Sequence, residues 1–351
     1  MYSLLIVGAI VGIGFVSGKE IYSFFFVYKK LSFLMVVLCS LILFCTLNLM
    51  FKKCKKCKTS LKNNTKTSKM VDISNKNAEN YFFKIDKMVL LVLSLLTLAT
   101  MISGAVNLLT SLNINSVIVR FLFVCFLIII VAIIIYFGGN ILFKISSVFT
   151  LFLILAMLFI LIYSCFADFN FVGDFEMLEN LNFAYLSNAI FSVVFYVSMN
   201  SLSCCGVVQE IALKLKSKRQ IFLVSFCASF IIFVLLFLSI LVFHFHGEIL
   251  DSSMPLLSLA KGLGSGVYFV YLFMLFSGCL VSTISVAFSC KLHLSFLNNS
   301  SSFFTCFLIL VLGVLFSLLG FDFLVEKIYP LIGMIYLLWS IIKIFIRKII
   351  A

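Results

Sequence analysis

Lys19 and Glu20 stand side by side near the end of VGAIVGIGFVSGKE, an otherwise apolar stretch that also carries Gly8, Gly12, Gly14 and Gly18. A carboxylate in such surroundings can serve as a proton or cation site, or the ammonium beside it can neutralise it, and the residues alone leave both readings open. The glycines suggest different chemistry, because they weaken a helix and let a ligand approach bare backbone. A second polar cluster lies in NAIFSVVFYVSMNSLSCCGVVQE, where Ser198, Asn200, Ser201, Ser203 and Gly206 gather near the middle of an apolar run. Small residues on one helix face most often serve close packing, and a single such run carries no more than that.

These residues need membrane helices to position them. The 351 residues are 64% hydrophobic and 11% charged, with two prolines, far more apolar surface than one soluble core could bury. Ten apolar runs reach the roughly 20 residues a bilayer core requires. They cover 2–28, 31–51, 87–110, 116–138, 141–166, 184–213, 220–244, 265–290, 303–321 and 323–346. The first run lacks a basic leader and a small-residue cleavage site, so it is expected to be a retained span. The twelve cysteines, scattered singly for the most part, outline no disulfide framework.

Charge sets the expected orientation. With both termini inside, the inner segments hold the eleven lysines from Lys52 to Lys87, then Lys144, Lys214, Lys216, Lys218, Arg219, Lys291, Lys343, Arg347 and Lys348. The outer segments are acidic, with Asp168, Asp174, Glu176, Glu179, Glu248 and Asp251. The positive-inside rule thus places the protein in the cell membrane with cytoplasmic N- and C-termini, and it explains the net charge of +13 without nucleic acid as a partner. Segment 52–86 lacks apolar periodicity and reads as a flexible cytoplasmic loop suited to anionic lipid. Its Cys54 and Cys57 form a CxxC with no second pair, which disfavours zinc. The sequons at Asn63-Asn64-Thr65 and Asn298-Asn299-Ser300 fall on the inner side.

The interrupted runs are the first and the sixth, matching positions of two five-helix halves. Paired interruption of this kind points to an inverted-repeat secondary transporter with its site at the bilayer midplane. The physical reason is that an unwound turn in hydrocarbon frees N–H and C=O groups, which cost several kcal/mol unless a polar substrate or ion engages them. An amino acid and a sodium ion fit that pattern.

The stretch from Val7 to Ile21 resembles the first helix of the YkvI-like membrane proteins, a branch of the amino acid–polyamine–organocation superfamily with a G-x-G-F-[AV]-[ST]-G-x-E-I pattern. Tyr196-Val197-Ser198-Met199-Asn200, Ser253-Met254-Pro255-Leu256 and Ile328-Tyr329-Pro330-Leu331-Ile332-Gly333 agree with it along the chain. The resemblance implies an all-α LeuT-type fold of two inverted five-helix repeats, 1–166 and 184–348, forming one transmembrane domain over 1–351. Helices 1 and 6 would be unwound around the substrate, and helices 3, 8 and 10 would complete the site. The N–H groups of Ile13 and Gly14, between Gly12 and Gly18, would meet a substrate carboxylate. A break from Tyr196 to Asn200, including Ser198, would meet its amino group or side chain. Carbonyls near Gly8 and Val11, with the hydroxyls of Ser282 and Thr283, would hold a coupling cation, the alternative being that those hydroxyls bond back to their own helix. Lys19 departs from the family pattern, where an uncharged polar residue is usual, and could stand in for a cation's charge.

The expected function is therefore cation-coupled uptake, with Na⁺ or H⁺, of an amino acid or similar small zwitterion. A non-transporting membrane sensor on the same scaffold is the alternative. No HExxH, GxSxG or paired midplane aspartates occur, so no enzyme and no cofactor are expected. His244 and His246, two residues apart, would face different ways and share no metal.

Overall fold

Apolar runs fold as helices here because in hydrocarbon every backbone N–H must find a carbonyl within its own segment. The structure, a computed structural model, describes residues 1–29, 31–64, 73–112, 114, 116–136, 139–167, 183–246, 252–294 and 303–350, and every regular element among them is helical. The first segment is cut into α1 (Tyr2–Ile10), α2 (Ile13–Val16) and α3 (Lys19–Phe24), followed by a 3₁₀ turn, Phe26–Tyr28. Then come α4 (Leu31–Asn64), α5 (Ile73–Ser111), α6 (Val117–Tyr136), α7 (Gly139–Ala167), α8 (Phe183–Ser203), α9 (Cys205–Lys214) and α10 (Lys218–Phe245). The last third holds α11 (Pro255–Gly262), α12 (Ser265–Leu294), α13 (Phe303–Ser317), α14 (Phe321–Phe323), a π turn (Leu324–Ile328) and α15 (Tyr329–Ile350).

Eight helical segments among the described residues are long and apolar enough to cross a membrane: Leu31–Lys55, Phe83–Ser111, Val117–Ile135, Ser146–Ser164, Ala184–Ser203, Lys218–Phe245, Ser265–Leu294 and Phe321–Ile346. The chain is an α-helical polytopic membrane protein. Of the ten expected spans, the first is present as three short pieces and the ninth as the shorter apolar helix α13.

Two expectations need correction. The segment 52–86, expected as a loop, is helical over 52–64 and 73–86, while 65–72 lie outside the described residues. Lysine is a good helix former, and extending a helix already nucleated in the membrane costs little. The sixth segment does not unwind between Tyr196 and Asn200; helix α8 runs through both. Its polar residues bond back to the ladder instead of breaking it: Asn200 Nδ2 donates to Tyr196 O (3.0 Å) and Ser203 Oγ to Met199 O (3.3 Å). The discontinuity falls later, at Cys204 between α8 and α9. Thr65, Asp168, Asp174, Glu176, Glu179, Glu248, Asp251, the 298–300 sequon and the side chains of Cys57, Asn63 and Asn64 lie outside the described residues.

Helix α12 is the hub of the packing. It lies against α5, α7, α9 and the pieces α1 and α2, and its stretch from Ser277 to Cys290 is buried throughout. Helices α4, α6, α7 and α10 turn Leu34, Phe121, Phe159 and Phe226 outward, the kind of exposed apolar face that lipid covers. Among the largest buried side chains, Phe15 belongs to the divided first segment, and Tyr196 and Tyr271 reach that segment from α8 and α12.

Candidate functional site

The first discontinuity is a tight turn at Val11 and Gly12. Gly12 N–H donates to Ile10 O (2.9 Å) across Val11 (φ −79°, ψ 75°), an inverse γ-turn, and Gly12 itself is extended. The carbonyls of Gly8 and Val11 fall where α1 ends, and the N–H groups of Ile13 and Gly14 where α2 begins, so neither set has a full complement of helical partners. No side chain caps α2. The bare Cα atoms are used for close approach. A methyl carbon built on Gly12 would fall 2.7 Å from Met101 Cε and 3.3 Å from Ser282 Cβ, and one on Gly14 would fall 2.2 Å from Glu20 Oε1. One on Gly8 would fall 2.2 Å from Thr150 Oγ1. The Ile13 side chain packs onto the bare Cα of Gly104, with Phe321 beside it. Elements α5, α12 and α14 thus all reach the same turn.

The second discontinuity is at Ser17 and Gly18. Gly18 is left-handed (φ 84°), and a side chain there would collide with Leu256 and Phe243 at 2.9 Å each. The carbonyls released at this bend are taken from afar: Tyr271 Oη of α12 donates to Val16 O, and the N–H of Leu256 donates to Ser17 O (3.1 Å). Ser17 Oγ closes the bend by donating to Gly14 O (3.0 Å).

Lys19 and Glu20 do not pair with each other. Lys19 Nζ reaches Glu326 (2.8 Å) and Asp322 (3.7 Å) at the start of the tenth segment, while Glu20 turns inward against Gly14. Glu20 is 1% exposed, its Oε2 has no hydrogen-bond partner, and among the described residues it makes no ion pair. Adjacent helical residues point about 100° apart, which is why one meets the acids and the other the interior. The Tyr196 ring is enclosed edge-on by Phe24 and Phe25 (centroids 5.3 and 4.9 Å), and its hydroxyl has no partner in hydrogen-bonding geometry. Tyr329 Oη hydrogen bonds with Thr100 Oγ1.

The polar cluster of the sixth segment is divided in its placement. Ser198 and Ser201 are buried with unpartnered hydroxyls, whereas Asn200 is spent on its own helix. The kink at Cys204 is bridged by α12: Gly206 N–H donates to Ser289 Oγ (3.1 Å), and the same hydroxyl lies 3.5 Å from Ser203 O. Ser282 sits beside Gly12, and a methyl carbon on neighbouring Gly278 would lie 3.9 Å from Val11 O. The hydroxyls of Ser282 and Thr283 donate within α12, to Gly278 O (2.8 Å) and Cys279 O (2.6 Å), leaving their lone pairs as the only groups available to a cation. His244 and His246 take separate partners, the carbonyls of Ile240 and Ser164.

The chain matches no family model and no curated protein.

Several residues of this constellation carry no signal in the chain's local patterns. Met101, Thr100, Tyr271 and Tyr329 look like ordinary membrane-helix residues until α5, α12 and α15 are brought together. Asp322 and Glu326 did carry one, since two carboxylates four residues apart share a helix face and await a cation. A separate polar knot was hidden in the segment expected as a loop. Asp86, buried near the start of the span in α5, receives Trp339 Nε1 (2.9 Å) and Lys343 Nζ from α15. Beside it His293 of α12 is fully buried with both ring nitrogens unpartnered.

Proposed function

We propose that the protein is a secondary active transporter that takes up an amino acid or similar small zwitterion by alternating access, coupled to Na⁺ or H⁺. The observation that carries this reading is the first segment, cut twice inside the molecule, with bare backbone at Gly12 and Gly14 covered by the unbranched side chains of Met101 and Glu20. Flexible side chains resting on exposed backbone can withdraw when a ligand arrives. Further support comes from the convergence of α5, α12 and the α14–α15 segment on that turn, the arrangement expected of a LeuT-type fold of two inverted repeats. In this reading Ile13 and Gly14 offer N–H groups to the substrate carboxylate, and Val11 O, Gly8 O, Ser282 and Thr283 form the coupling-cation site. The YkvI-like resemblance and the inward-facing termini belong to the same proposal.

The test is counterflow in proteoliposomes loaded with an amino acid mixture, under a sodium gradient and separately under a proton gradient. Exchange of at least one labelled amino acid is expected. Absence of exchange under both gradients overturns the transport reading, and ligand binding without flux would assign the scaffold to sensing.

A further inference from the structure

We infer that the substrate carries an organic ammonium group and that Glu20 is the residue that receives it. The inference rests on the transport reading and narrows it to a class of substrate and an acceptor. Three observations carry it. Glu20 is buried with an unpartnered Oε2, and the one cation next to it in sequence is committed to Glu326 and Asp322. An uncompensated buried charge is costly, so the charged form of a carboxyl held this way calls for a positive partner from outside the chain. Its surroundings suit an ammonium: the carboxyl lies over bare backbone at Gly14, and the buried phenol of Tyr196 on α8, packed against Phe24 of the same short helix as Glu20, has no partner in hydrogen-bonding geometry. The third observation is the continuity of α8. Amino-group recognition by carbonyls between Tyr196 and Asn200 requires an unwound turn, but Asn200 O accepts from Cys204 N–H (3.1 Å) and Tyr196 O from Asn200 Nδ2. Recognition of the amine therefore passes from backbone to side chain.

A proton or an alkali ion would also answer the charge of Glu20, and the experiment separates them. Melting of the purified full-length protein is followed with amino acids, with ethanolamine and putrescine, with des-amino partners such as propionate for alanine, and with NaCl against KCl. Counterflow of the same probes is measured in parallel. At least one amine-bearing probe should stabilise the protein while its des-amino partner does not, and Glu20→Gln should weaken that binding by on the order of tenfold or more. Gly14→Ala, whose methyl would fall 2.2 Å from Glu20 Oε1, should weaken it too by displacing the carboxyl, and it serves if Glu20→Gln does not fold.

The assignment is overturned if Glu20→Gln binds the amine as tightly as the wild type, if the des-amino partner binds equally well, or if no amine-bearing probe stabilises the wild type. Stabilisation by Na⁺ alone that vanishes in Glu20→Gln would make this an alkali-ion site and overturn it. So would a variant altered only in the pH profile of exchange, with amine affinity intact, which would make Glu20 a coupling group. Amine binding that depends on Glu20 without any exchange removes the transport reading and leaves the assignment standing.

Discussion

At Gly12 and Gly14 the missing side chain leaves space that neighbouring groups occupy. The thioether of Met101 and the carboxyl of Glu20 rest there, and both are ends of flexible chains. A leucine at either position would fill that space permanently. Gly12→Leu and Gly14→Leu are therefore expected to insert and purify as the wild type does but to lose counterflow; exchange at the wild-type rate in either variant would remove the backbone turn from the site. The break at these glycines was legible in the sequence, since glycine lowers helix propensity, and the structure divides the first segment there. The pairing of Lys19 was not. Adjacency left a local ion pair with Glu20 open beside a proton or cation site, whereas the geometry of neighbouring helical positions sends the two side chains to different places, and the partners of Lys19 stand some 300 residues later.

At the scale of elements, breaks in helices are bridged from elsewhere in the chain. Ser289 spans the kink at Cys204, and Tyr271 and Leu256 take the carbonyls at the bend around Gly18. The break in the first segment could be read from its glycines, because Gly8, Gly12, Gly14 and Gly18 lower helix propensity directly. The kink in the sixth could not be placed, because Ser198, Asn200 and Ser203 are as compatible with a helix as with a turn; their own carbonyls offer them partners one turn back. Close helix contact brings a second expectation. Gly333 of α15 lies on the backbone of α8, where a methyl carbon would fall 2.3 Å from Phe195 O, an atom that cannot swing aside. Gly333→Ala should force the two helices apart and cost about 1–3 kcal/mol, seen as a lowered melting temperature in detergent. Unchanged melting would mean that the two helices separate at little cost.

For the whole molecule, membrane character followed from hydropathy, because the length of an apolar run is dictated by bilayer thickness, and among the described residues eight of the ten expected runs are helices long enough to cross. Orientation rests on the distribution of Lys and Arg alone. In sealed right-side-out vesicles, cleavable tags at the two termini should both be protected from external protease and both be cut after inversion. External cleavage of either tag would contradict the inside placement of that terminus. The left-handed bend at Gly18 has a mechanical meaning at this scale. Before the bend, Tyr271 and Leu256 hold the carbonyls of Val16 and Ser17; beyond it, α3 is held by Lys19 to the acids of the tenth segment and by Ser192 of α8 at Phe24 O. Three of these four fastenings come from the last third of the chain. Rotation about Gly18 is consequently geared: α11 and α12 grip one side of the joint while α8, α14 and the π turn grip the other, so the joint transmits torque between the elements that hold it instead of swinging freely.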